Sequence, residues 1–310
     1  MRCLAIRTPS IRMTTPRIAL VTVAAARALD EDLAPLDEAL REAGAEVAIV
    51  DWDDAGFEWA GVDAAVVRST WDYTDRPAEF LAWAAQVAQR TRLLNPQGVL
   101  RWNTDKHYLA ELERGGIEIV PSVFVEPGED ARAALAAFVH RVEESWFVIK
   151  PCIGAGSRDA QRHARGATAA ALAHLERLLA AGRSALLQPY LERVDERGET
   201  ALVYFDGEFS HAIRKGPLLR AGEDWTQALF ATEDIRAREP HAAERGLAQA
   251  VLDALPFTPV PAYARVDLIE DRDGRPRLLE LELAEPSLFF AHAPGSARRF
   301  AEVLLARVSV

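Results

Sequence analysis

The sequence predicts an α/β protein, more fully α+β, with a parallel sheet in its N-terminal part and two mixed segments after it. Three observations lead there. Strand-like apolar runs alternate with helix-patterned stretches up to about residue 100, the texture changes beyond Arg101, and the last part contains a hairpin rich in carboxylates, "YARVDLIEDRDGRPRLLELEL".

"RIALVTV" (17–23) is β-rich and almost wholly apolar, as a strand buried on both faces would be. Asp30 is placed to cap a helix whose Leu33, Leu36, Leu40 and Ala43 recur at helical spacing, and Gly44 to end it. "EVAIVDW" (46–52) and "DAAVVRS" (63–69) read as further strands. Pro77 sits where a first helical turn tolerates proline, and Phe80, Leu81, Ala84 and Val87 mark the apolar face that follows. "RLLNP" (92–96) closes this unit, and the strand–helix alternation implies parallel strands. Thr104 is placed to cap a helix carrying Lys106 and Leu109 and stopped at Gly115–Gly116. "IEIVPSVFV", a helix near 130–143, "SWFVIKP", the loop "GAGS", an alanine-rich helix over 167–181 and "ALLQPYL" complete a second unit. The third holds "TALVYFDGEFSHAIRK", the hairpin and a final helix near 296–307. The expected organisation is an extension over 1–13, an α/β unit over 14–100, a central unit over 101–187 and a C-terminal unit over 188–310. "MTTPRIALVTV" from Met13 resembles a natural start, which makes disorder the expectation for the residues before it.

At 310 residues and 49% hydrophobic, the chain can bury a large core. Its 47 acids against 36 Lys and Arg give a net charge of −11, which argues against a nucleic-acid partner. The absence of any apolar run of about 18 residues predicts no membrane span. Two cysteines, Cys3 and Cys152, are too few for a disulfide scaffold and fit a cytoplasmic setting.

The hairpin carries the chemistry. Asp273-Gly274 suits a two-residue type I′ turn. That turn places Arg272 opposite Arg275, Asp267 opposite Glu280 and Arg265 opposite Glu282, with Val266, Leu268, Leu279, Leu281 and Leu283 on the core face. Three clustered carboxylates repel, so either Arg265 neutralises them or a cation lies between them. Oxygen-only ligands favour Mg²⁺ or Mn²⁺, and such an ion usually completes its shell with nucleotide phosphates. Lys150 ends a strand facing "CIGAGSRD", where Gly154, Gly156 and Ser157 either let backbone N–H groups approach an anion or form an ordinary glycine turn. "LLQPYLERV" is either a strand-to-loop transition or a hinge at which Gln188 and nearby backbone hydrogen-bond a purine edge. Strand ends in open α/β sheets bind ligands, which makes Arg68, Ser69, Trp71 and Asp72 substrate candidates. Core packing for Trp71 and Tyr73, and a surface pair between Arg68 and Asp72, are the alternatives. Histidine spacing gives no zinc signature, and His211 alternates in register with Phe209 and Ile213, which suggests a structural or substrate-contact role.

The ordered set of Lys106, Lys150 before a Gly/Ser loop, "QPYL", Glu199, Asp267, Glu280 and Glu282 resembles the ATP-grasp superfamily over about residues 14–310. "GETALVYFDGE" is similar to glutathione synthetase and RimK-type ligases, while "VRSTWDY" and "GEFSHAIRKGP" resemble the D-cycloserine-forming cyclo-ligase group. The resemblance implies the three-part ATP-grasp fold, with Lys106 and Lys150 on the phosphates of ATP. It also implies Gln188 and the backbone near Leu191 at adenine, Glu199 at ribose, and two Mg²⁺ on Asp267, Glu280 and Glu282. Two departures matter: Glu282 stands where glutathione synthetases have Asn, and Ala201 where they have a substrate-facing Arg. The implied reaction joins a small-molecule carboxylate and an amine through an acylphosphate, with Arg214 and Lys215 stabilising developing charge; "EPSLFF" (285–290) either lines the substrate pocket through Ser287 or packs the last helix. A small-molecule kinase and a RimK-like peptide-modifying ligase are the competing functions, and homodimers occur in the superfamily.

Overall fold

The computed structural model describes residues 15–217, 219 and 234–309; the extension expected at 1–13 lies outside them. Strands β1 (Arg17–Thr22), β2 (Glu46–Asp51), β3 (Ala64–Ser69) and β4 (Arg92–Leu94) form a parallel sheet ordered β2-β1-β3-β4. β3 is buried along its whole length, which explains its unbroken apolar run up to Arg68. Helix Leu33–Glu42 buries Leu33, Leu36 and Leu40 of the stripe read from the sequence, while Ala43 falls past its end and is exposed; helix Pro77–Val87 buries Phe80, Ala84 and Val87, leaves Leu81 half-buried, and opens on Pro77 as expected. The Asp30 cap does not form. Asp30 instead accepts a hydrogen bond from the Asp32 N–H at 3.0 Å, and Asp32 accepts from the backbone N–H groups of Leu288, Phe289 and Phe290 at 2.6–3.0 Å. The N-cap position falls on Asp32 rather than Asp30, and a segment more than 250 residues distant takes its carboxylate.

The second sheet is antiparallel, built from β5 (Val123–Val125), β6 (Trp146–Pro151), β7 (Gln161–Ala164) and β8 (Ala185–Pro189) in the order β5-β8-β6-β7. Helices Ala131–Arg141 and Thr168–Ala180 cover it through Leu135, Phe138, Leu175 and Leu178. The boundary drawn at residue 187 falls inside β8. The helix expected from Thr104 starts only at Tyr108 and runs to Arg114; a separate helix, Gln97–Asn103, ends before Thr104, and Lys106 lies in the turn between the two. The break follows from tertiary bonds: the Lys106 N–H donates to Cys152 O at 3.0 Å, and its ammonium donates to Gly154 O at 2.8 Å.

The third sheet orders β9 (Glu199–Phe205), β10 (Glu208–Lys215), β11 (Ile235–Ala237), β12 (Tyr263–Glu270) and β13 (Pro276–Glu282) as β11-β10-β9-β12-β13, all antiparallel. The outer edge of β13 is covered by side chains. Tyr108 Oη accepts from Leu281 N at 2.9 Å, while the Asn103 amide donates to Leu281 O and accepts from Leu283 N. An edge strand with its backbone satisfied this way is fixed in place. The final helix, Ser296–Val308, returns to the first sheet, where Phe300, Ala301 and Leu304 share a core with Ile18, Leu20 and Leu36.

The hairpin corrects the sequence reading in one detail. Asp271 pairs with Arg275, so the turn has three residues, with Gly274 left-handed at φ 77°, rather than two. An irregularity between Asp267 and Leu268 then adds one residue to β13. The two deviations cancel, and Asp267 still faces Glu280 and Arg265 still faces Glu282. Leu279 does not. The extra residue turns it onto the side of the acids, and Leu278, fully buried, takes the core position.

Candidate active site

A pocket lies where all three parts meet. β12 and β13 supply its floor: Asp267, Glu280 and Glu282, with Arg265 among them. Arg265 donates to both oxygens of Asp267 at 2.8 Å, to Glu282, and to Ser287 O at 3.1 Å. Lys215, at the end of β10, reaches Asp267 at 2.8 Å and also pairs with Glu199. Gly198 sets up that pairing. A Cβ there would lie 2.5 Å from Lys215 O, and at φ 71° only glycine fits comfortably.

Lys106 links the floor to the glycine loop, pairing with Glu280 at 2.8 Å while donating to Gly154 O. Lys150 stands 3.9 Å from Glu280 on the same side. Within the loop Gly156 and Ser157 are both left-handed, at φ 60° and 59°. Arg158 ties the loop to the first unit through Asp75 at 2.7 Å. At the other end Leu191, Ile269 and Leu279 form an apolar cluster beside Gln188, whose amide donates to Ser122 at 2.9 Å.

Charge is distributed unevenly. Burial works against ionising Asp267, but Arg265 and Lys215 outweigh it and hold the carboxyl well below its ordinary range. Burial likewise opposes ionising Glu280, and Lys106 and Lys150 overcome it. Glu282 goes the other way: burial, with Asp267 and Glu280 adding to it against Arg265, raises it to about 7. Burial, followed by the Glu282 charge, pushes Glu285 up to about 8.

Lysines beneath a glycine loop, an apolar slot beside a polar strand end, and acids on a hairpin together describe a nucleotide site. A family description, the N-terminal domain of D-cycloserine synthetase DcsG, matches residues 18–95. The cycloserine biosynthesis protein DcsG of Streptomyces lavendulae is 42% identical over 299 residues, covering 94% of this chain and 98% of that one. The chain belongs to the D-cycloserine synthetase family of ATP-grasp ligases. The crystal structure of D-cycloserine synthetase DcsG matches with a TM-score of 0.89 at 40% identity, covering 94% of this chain and 99% of that one. A D-alanine–D-alanine ligase from Bacillus anthracis shares the fold at TM-score 0.69 and 14% identity, covering 95% and 98%. The protein is an ATP-dependent ligase that joins a carboxylate to an amine and forms a carbon–nitrogen bond. Among the described residues no helix is long and apolar enough to cross a membrane.

Most of the site residues read from this ligase's sequence do converge: Lys106, Lys150, Gly154, Gly156, Ser157, Gln188, Leu191, Glu199, Lys215, Asp267, Glu280, Glu282, Trp71 and Ser287 all line the pocket. Four others do not. Arg214 alternates to the opposite face of β10 from Lys215 and donates to Arg197 O at 2.9 Å, capping the short helix before β9. Asp72 is turned away, accepting from Trp52 Nε1 at 2.8 Å and pairing with Arg76. Ser69 bonds Thr22 Oγ1 at 2.7 Å inside the first sheet. Arg68 is 1% exposed and donates to Pro286 O at 2.8 Å, so it braces the loop behind the pocket and makes no surface pair with Asp72. His211 has the structural role among its alternatives, bonding Leu288 O at 2.7 Å.

Among the pocket residues the sequence reading missed, three bear on the chemistry. Arg265 was read only as a neutralising charge, although its position two residues before Asp267 on the same strand face was a usable signal. Leu279 was hidden by the irregularity in β13. Glu285, the next acid after Glu282, carried no periodic signal because it lies past the end of the strand. Outside the pocket Asp105, His107 and Cys152 bring ligand atoms within 4.8 Å of one another. Both His107 ring nitrogens are taken up there, by Asp105 at 2.6 Å and Glu126 at 2.9 Å.

Proposed function

We propose that this ligase transfers the γ-phosphoryl group of ATP to the carboxylate of a small amino-acid-like substrate and then closes the acylphosphate onto an amine of the same molecule. The observation that carries the reading is the position of Arg265. It is anchored on Asp267 and Glu282 of the floor and on Ser287 O of the far wall, so one guanidinium spans the metal side and the substrate side of the pocket. Ala201 lies directly opposite Asp267 across β9 and β12, and Arg265, two residues before Asp267 on the same face, would supply the cation that position 201 lacks.

Lys106 and Lys150 would hold the phosphates under the loop 154–157. Leu191, Ile269 and Leu279 would pack the base, with Gln188 at its polar edge and Glu199 at the ribose. Asp267, Glu280 and Glu282 offer only oxygen, and Glu282 keeps one oxygen without a hydrogen bond among the described residues. That donor set fits Mg²⁺ or Mn²⁺, two ions by analogy with the superfamily, and such ions would neutralise charge on the phosphates during transfer. In the first step a substrate oxygen attacks the γ-phosphorus and ADP leaves. In the second an amine nitrogen attacks the acyl carbon, and phosphate leaves with the electron pair of the C–O bond. Arg265 and Lys215 stabilise the oxygen charge that develops at each stage. Similarity to cycloserine-forming enzymes supports the cyclising form of this reaction.

The test is ADP release with Mg²⁺ and ATP across a panel of amino acids, O-ureido-D-serine included, with and without added amines, each product read by mass spectrometry. A ring formed from one substrate supports the proposal. A product joining two substrates replaces it with an intermolecular ligase, and a stable phosphorylated product replaces it with a kinase.

Two further results are expected. Arg214→Ala should leave kcat/KM within about threefold, whereas Lys215→Met should lower it by about 100-fold or more. Equal losses would return Arg214 to the site. Because Glu282 titrates near 7 and binds a cation only when deprotonated, Mg²⁺ affinity in the presence of ADP should tighten by about tenfold per pH unit below about pH 7 and level off above it. Calorimetric titration showing a flat profile across that range would remove Glu282 from the ligand set.

A further inference from the structure

One carboxyl on the pocket wall has no part in the steps above. Glu285 lines the pocket, is 8% exposed, and lies beside the Tyr73 hydroxyl, which lines the same wall. Its backbone is held from the first unit: Trp71 Nε1 donates to Glu285 O at 3.4 Å, and Arg68 donates to the next carbonyl, Pro286 O. Among the described residues no cation forms an ion pair with it. The charges that act on it most are Glu282 and Glu280, which repel, and Lys106, which is already engaged by Glu280 and Gly154 O. A buried acid without a counter-charge keeps its proton, and a ligand that brings a positive charge beside it restores the ionised form. Two residues along, Ser287 O accepts from Arg265 at 3.1 Å, so a carboxyl and a guanidinium flank the same short stretch of wall. A small zwitterion, with its carboxylate toward Arg265 and its ammonium toward Glu285, complements both.

We propose that Glu285, positioned by Tyr73, binds the ammonium of an α-amino-acid substrate and is the residue by which this ligase selects amino acids over their α-hydroxy counterparts. The proposal rests on the carboxylate-activating reading given under Proposed function. No bond is made or broken at Glu285.

The test pairs each amino acid that drives ADP release with its α-hydroxy acid and measures KM for both, along with ATP binding by calorimetry, in wild type, Glu285→Gln and Tyr73→Phe. Wild type should prefer the amino acid by about 100-fold or more, because a site built around a polar partner rejects the analogue lacking it. Glu285→Gln should reduce the preference to within about threefold with ATP affinity unchanged, and Tyr73→Phe should weaken it by about fivefold. A preference that survives Glu285→Gln overturns the proposal and leaves the ligase reading intact. Loss of ATP binding in Glu285→Gln, with the preference unchanged in Tyr73→Phe, assigns the residue to the fold and also overturns it. If no amino acid on the panel drives ADP release in wild type, the substrate reading fails and this assignment fails with it.

Discussion

Replacing Asp267 by asparagine should reduce ADP release to below about one part in a thousand and destabilise the fold by about 3 kcal/mol. Both effects come from one buried carboxylate. Asp267 is 2% exposed and accepts hydrogen bonds from Arg265 Nε and Nη2 and from Lys215 Nζ. Asparagine keeps the shape but removes the charge, so two buried cations lose a shared partner, while the Lys215–Glu199 pair stays in place. Removing one member of a buried charged set costs more than the set contributes, because the remaining charges stay desolvated. Stability has a matching pH dependence. The folded carboxyl titrates below the ordinary 3.8, so its contribution is complete above the ordinary value and is lost as pH falls through the lower folded one. Urea unfolding at neutral and acidic pH should show a flatter acid limb in the variant. Activity within tenfold of wild type would remove Asp267 from the proposed metal ligands.

Arg265→Lys should lower kcat by about 100-fold or more while leaving KM for ATP within about threefold. The substitution keeps the positive charge. It removes the planar fork by which one side chain meets Asp267, Glu282 and Ser287 O together. An ammonium has three donors on one nitrogen and cannot reach the four acceptor oxygens spread over two walls, so the carbonyl of Ser287 and the floor lose their common anchor. Steady-state kinetics decides the point. A KM effect on ATP with kcat preserved would make Arg265 a nucleotide-binding residue and would return the burden of charge stabilisation to Lys215 alone.

The arrangement explains why charge in this pocket has to be supplied in pairs. Each carboxylate of the floor is matched by a cation from another element: Asp267 by Lys215 of β10, Glu280 by Lys106 from the turn before helix Tyr108–Arg114, and Glu282 by Arg265 of β12. The elements are joined through these pairs and through the side chains that cover the edge of β13. Geometry at the glycine loop, at the acids and at the loop carrying Ser287 is therefore set by one connected network.

The sequence alone determined the parts that depend on local chemistry and short-range periodicity. The parallel first sheet follows from apolar runs separated by helical stripes. The pairing of Asp267 with Glu280 follows from strand alternation around a glycine turn, and survived because a longer turn and an extra residue in β13 offset each other. Lys106, Lys150 and the loop glycines were legible as residue types in order along the chain. Tertiary structure alone decided which neighbours in sequence face the same space. Arg214 and Lys215 are adjacent, yet the pleat of β10 sends one to a helix end and the other to the site. Arg68 and Asp72 sit at a strand end that resembles a ligand site, but the loop carrying Ser287 crosses there and takes their place. Glu285 enters the pocket because Asp32, Arg68, Trp71 and His211 fix the backbone around it from segments far away in sequence. Side-chain direction along a strand has a period of two and can be read locally, whereas the path of a loop is set by the distant groups that satisfy its carbonyls and N–H groups.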